Sequence, residues 1–156
     1  MAATSEQLKK AAEVRSTLVK AMDELNMKYD ADGNVFEFSF GGDDLPMHFR
    51  MTIDADRQLI ILLSPQQYTI PRNKIVDAAM AISHINYMLN DGSFDFDITD
   101  GTIAFRMTSS FRESLISTEL LQYMIAVSVN TVDDYNDKLD DIGKGKLDAY
   151  KYIETL

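Results

Sequence analysis

The stretch from Ile85 to Met107, INYMLNDGSFDFDITDGTIAFRM, restricts the possible fold more than any other part of the chain. It reads as the end of a helix, a stop at Asn90-Asp91-Gly92, and a two-stranded hairpin. Phe94, Phe96 and Ile98 alternate with Asp95 and Asp97, the period of a strand with one buried face. Asp100-Gly101 supplies turn chemistry, and Thr102 to Met107 returns as the partner strand.

The flanking sequence fits around this unit. Leu8, Ala11, Ala12, Leu18, Met22 and Leu25 recur at helical spacing, so Ser5 to Met27 is expected to be an amphipathic helix. Thr4 and Gln7 stand at capping-box spacing at its start. Asp30-Ala31-Asp32-Gly33 breaks it. Val35–Phe40 and Met47–Ile53 then alternate as strands, and Gln58–Ser64 is a third. The unbroken apolar run Leu59 to Leu63 suits a central strand covered on both faces.

After Pro65 and Pro71, a second helix is expected from about Asn73 to Leu89. Ile75, Ala78, Ile82, Ile85 and Leu89 form its core stripe at ~100° per residue. Val76, Met80 and Tyr87 form a second apolar strip on another side, and a helix apolar on two sides has two neighbours. In the last long helix, Ser117 or Thr118 caps the start. Leu120, Leu121, Met124, Ile125, Ser128, Val132, Tyr135, Leu139 and Ile142 share one face. Asp133, Asp134, Asp137, Asp140 and Asp141 form an acidic ridge, and Gly143 is the stop. A short helix is expected within 146–154. The order is α-βββ-α-ββ-α: one α+β domain over 1–156, with a single antiparallel twisted sheet of about five strands and helices packed on it.

With that order, the chain resembles the YbjN family, proteins regarded as candidate bacterial sensory transduction regulators without an established activity. Asn86 and Asn90 occupy its Asn-x-x-x-Asn position, followed by Gly92-Ser-Phe94-Asp-Phe96-Asp, Asp100-Gly101 and Ile103-Ala-Phe105-Arg106. Ser117-x-Glu119-Leu120-Leu121 opens the last helix, and Asp134-Tyr135, Leu139 and Gly143 close it. The similarity spans about residues 5–145. It implies a type III secretion chaperone-like fold. Chaperones of that fold are small acidic homodimers that bind extended segments of partner proteins, commonly with the middle helix at the dimer contact. That is the helix bearing Val76, Met80 and Tyr87.

Composition narrows the function by exclusion. The chain has no cysteine, which removes thiol catalysis, disulfides and thiolate metal sites and favours a reducing cytoplasm. Net charge is −10, with acidic residues in excess over 30–65 and 117–156 and no segment basic enough to neutralise several phosphates, so nucleic-acid binding is not expected. The N-terminus lacks a basic-then-apolar export pattern, and no apolar run suits a membrane span.

The hairpin aspartates invite a calcium reading, but the EF-hand register fails. Counting from Asp95, Thr99 stands at position 5 and Asp100 at 6, and Arg106 takes the place of Glu at 12. Gly143-Lys144-Gly145-Lys146 echoes a phosphate loop, yet Asp140 occupies the place of the required glycine. His48 and His84 sit in no catalytic motif. No metal, cofactor or catalytic residue is expected. The expected function is a non-enzymatic, homodimeric protein-binding module, chaperone- or regulator-like, whose client carries basic or extended amphipathic segments. The rival is a small-molecule sensor or enzyme with a pocket between sheet and helices.

Overall fold

A computed structural model of the chain describes residues 2–156. Helix α1 spans Ser5–Glu24, followed by strands β1 (Asp30–Asp32), β2 (Val35–Phe40), β3 (Met47–Asp54) and β4 (Leu59–Thr69). A 3-10 turn, Arg72–Lys74, leads into α2 (Ile75–Met88). The hairpin β5 (Ser93–Phe96) and β6 (Thr102–Ser110) follows, then α3 (Thr118–Gly143) and α4 (Ala149–Ile153). All strands pair antiparallel in one six-stranded sheet of order β1-β2-β3-β4-β6-β5. The α+β architecture matches the expectation, with one strand more than the five read from the sequence.

The additional strand is β1. Its three residues are all exposed, so no apolar alternation marks it. It exists because the two-residue turn at Gly33-Asn34, with Gly33 at φ +56°, folds Asp30–Asp32 back onto β2. Two aspartates on an edge strand also discourage pairing with a foreign strand.

The sheet is covered on one face only. Phe36, Met51, Leu62 and Met107 lie in one cross-strand row on the buried face, while Glu37, Arg50, Leu63 and Arg106 form an adjacent row on the other. The expectation that Leu59–Leu63 is covered on both faces is therefore corrected. β4 is central, but Ile61 and Leu63 stay half-buried on the open face. β4 also runs beyond Ser64, through a register irregularity between Pro65 and Thr69 where β3 no longer pairs with it.

Helix ends follow local chemistry. The Thr4–Gln7 capping box forms, and Ser117 caps α3 by accepting from the Leu120 amide. Two expectations for α3 change. Gly143 is inside the helix, where a Cβ would sit 2.9 Å from Ile70 Cδ1, and Gly145 at φ +71° provides the left-handed stop. Asp140 is buried rather than on the outer ridge, and its carboxylate is paired with Lys144, whose pKa this contact raises. No helix among the described residues is long and apolar enough to cross a membrane.

Candidate interaction surfaces

Helix α2 packs its inner face tightly. Ala78 and Ala81 are fully buried with Ile82 and Ile85, on a helix that packs against both α3 and α4. Lys74 and Asp77 pair at 2.8 Å across the first turn. With the inner face committed, Val76, Met80 and Tyr87 point outward and are 71%, 40% and 82% exposed. All three line one shallow depression of about 800 Å³. Ile98 from the β5–β6 turn and Tyr150 from α4 complete it, each 63% exposed. Among the described residues no carboxylate, lysine or arginine lines it; His84 is half-buried there with its ring 6.1 Å from that of Tyr87. Sequence pattern found the α2 members of this surface. It missed Ile98, which reads as an inward strand residue, because β5 stops at Phe96 and Ile98 sits in the turn.

Most of the matched residues between Asn86 and Arg106 make contacts within the fold. Asn86 Nδ2 donates to the Phe94 carbonyl at 3.0 Å, and its Oδ1 accepts from the Phe94 amide at 2.8 Å. The side chain thus imitates a neighbouring strand at the free edge of β5. Asn90 does not share this work. It is exposed, and the end of α2 is closed by the Leu89 amide donating to the Ile85 carbonyl. Gly92 lies at φ +72° against the Phe105 ring and Gly101 at φ +81° against the Ile70 carbonyl, both in places a Cβ would occupy. Phe94 is buried edge-on to Phe105, with ring centroids 5.2 Å apart, and Phe96 is half-buried beside it. Arg106 pairs with Asp95 at 2.8 Å on the open sheet face.

The turn aspartates are occupied by the backbone. Asp97 accepts from the Thr99 hydroxyl and amide, and those bonds hold its carboxyl below the usual range. Asp100 accepts in the same way from Thr102. Among the described residues no three His, Cys, Asp or Glu side chains are grouped to hold a metal ion. On the open face, Ser39 Oγ lies 2.7 Å from His48 Nδ1. Both are exposed, and no carboxylate bonds the other ring nitrogen of His48 among the described residues, so the contact is a cross-strand link without the orienting group a nucleophile pair uses.

A second apolar surface has no counterpart in the sequence reading. The C-terminal turn of α1, the end of β2 and the first half of α3 enclose a trough of about 570 Å³. Met27, Phe40, Ala126 and Val129 line it, with half-exposed Leu25 and Tyr123 as its walls. The Tyr123 hydroxyl donates to Asp91, which raises the phenol pKa. Leu25 reads as a core residue from its spacing, but the helix ends at Glu24 and leaves it at the surface.

No protein-family model matches the chain, and no curated protein matches it in sequence. Solved structures do match. The crystal structure of YbjN, a candidate transcription regulator from E. coli, corresponds over 81% of this chain and 89% of its own, with a TM-score of 0.59 at 12% identity. A chain of the HopA1–SchA chaperone–effector complex corresponds over 81% of this chain and 95% of its own, with a TM-score of 0.57 at 15% identity. At these identities the likeness is one of fold, and it is the chaperone-like α+β fold that the family resemblance implies.

Proposed function

We propose that this chain is a non-enzymatic protein-binding module, chaperone- or regulator-like, that acts in the cytoplasm as a homodimer joined through the outward strip of α2. The observation that carries the reading is the strip itself: Val76, Met80 and Tyr87 lie exposed on one depression, free of charge, in a chain of net charge −10. A two-fold contact would use the same strip on both copies. Fully burying each such side chain contributes about 1.5–3 kcal/mol. The rival, a pocket between sheet and helices, is less well supported, because the trough beside Phe40 is open at the surface and the interior beneath the sheet is packed. That interior is filled by Phe36, Met51, Leu62, Phe105, Leu18 and Met22, all fully buried.

Light scattering should report about twice the 17.6 kDa chain mass. Met80→Glu and Tyr87→Glu should each reduce it to a single chain. A monomeric wild type, or a dimer indifferent to both substitutions, refutes the interface.

A further inference from the structure

We infer that the trough between the end of α1 and the first half of α3 seats a basic amphipathic helix of a partner protein. The inference rests on the protein-binding reading above, but on a different face of the molecule, and it can fail separately.

Length and shape come first. The wall supplied by α3 runs from Glu119 to Asn130. At ~1.5 Å per residue that is about three helical turns, room for anchors at i, i+4 and i+7. The trough is braced open: Gln122 Nε2 donates to the Ala21 carbonyl at 3.2 Å and to Glu24 Oε2 at 3.0 Å, fixing the separation of the two helices. Tyr123 is held by Asp91. A preformed site spares the occupant the cost of ordering it.

The occupant's backbone must also be satisfied. The wall supplied by α3 is a helix whose backbone groups are already bonded within it; the end of β2 is paired with β3 on one side, while on its other side β1 reaches only as far as Glu37. An extended segment lying along α3 would find no partner for its amides over the three turns of that wall, since the one unpaired strand edge nearby is the short Phe38–Phe40 end of β2. A helix bonds its own.

Charge selects the sign. Among the described residues Glu119 is the only charged residue lining the trough, and Asp91 adjoins it through Tyr123. Glu24, bonded to Gln122, and the nearby cation Lys20 pair at 3.7 Å and offset each other, so the remaining charge at the rim is negative. A second copy of this chain would bring its own acidic rim against these carboxylates, whereas lysines and arginines flanking an apolar face complement them.

The chain contains no tryptophan, so a peptide carrying one reports its own burial without background. The probe is a synthetic three-turn peptide with Leu, Trp and Leu at i, i+4 and i+7 and lysines and arginines on the flanks. Its tryptophan emission should shift to the blue on titration with the full chain, and its affinity should fall with added salt. A scrambled peptide, and one with glutamates in place of the cations, should bind at least tenfold more weakly. Ala126 is exposed on the trough floor, so Ala126→Glu should fold normally and weaken the basic peptide tenfold or more. Glu119→Lys should weaken it severalfold, while Met80→Glu should leave it unchanged even where it abolishes the dimer. No blue shift, equal binding of the scrambled peptide, or an Ala126→Glu variant that binds as wild type would overturn the inference. So would an Ala126→Glu variant whose mass in light scattering changes, since the trough would then be a contact between copies.

Discussion

The two sides of α2 carry the same kinds of residue and have opposite environments. On the inner side Ala78, Ala81, Ile82 and Ile85 are sealed, and the polar Asn86 has both ends of its amide bonded to β5. On the outer side Val76 and Tyr87 stand in solvent. The residues of the inner side and the hairpin it supports are fixed by what they touch within the chain. No packing within the chain covers the exposed Val76, Met80, Tyr87, Ile98 and Tyr150 gathered around this depression. The difference separates residues that make the fold from residues that are left for another surface.

The largest effect that would break this contrast falls on the inner side. Phe94→Ala should cost about 3–5 kcal/mol in denaturant unfolding, because a ring packed on Phe105 and Tyr135 leaves a cavity. A loss under about 1 kcal/mol would mean that the hairpin is not part of the cooperative core. Asn86→Leu keeps the size but orphans the Phe94 amide and carbonyl, and should cost about 1–3 kcal/mol. A neutral result would show that the edge of β5 needs no cover. On the outer side, Met80→Glu should change the stability of the single chain by no more than about 0.5 kcal/mol, measured across a concentration series. A loss of 2 kcal/mol or more would place Met80 with the inner residues.

The smallest effect lies in the turn that lifts Ile98 to the surface. The carboxyl of Asp97 is depressed by the Thr99 hydroxyl and amide, so it binds its proton more weakly in the folded chain than in the unfolded one. Its contribution is therefore present above the unfolded value, near pH 4, and is lost as pH falls through the lower folded value. Asp97→Asn should slightly flatten the acid side of a stability–pH profile. An unchanged acid limb would show that the turn bonds do not persist in solution.

Several of these features are legible in the sequence. The capping box, the Ser117 cap, the hairpin and the outward strip on α2 follow from local spacing, because helix and strand periods decide which residues share a face. The departures have specific causes. β1 has no apolar pattern because it is held by backbone pairing and a turn, not by burial. Gly143 looked like a stop from its type alone, whereas the approach of Ile70 explains its small size and Gly145 carries the positive φ. The α1–α3 trough was invisible since its walls come from residues far apart in sequence, Leu25, Phe40 and Tyr123, none of which belongs to a shared motif.

By itself, the sequence determined the order of nearly all the elements, their α+β class and that Val76, Met80 and Tyr87 lie off the core stripe of α2. These depend on periodicity and on turn chemistry, both local. Only the tertiary structure decided that the helices cover one face of the sheet, that Ile98 and Tyr150 extend the α2 strip, and that a second apolar trough opens beside an acidic rim. Surfaces of that kind are made when distant segments pack together, and no local pattern encodes where the packing will leave a gap.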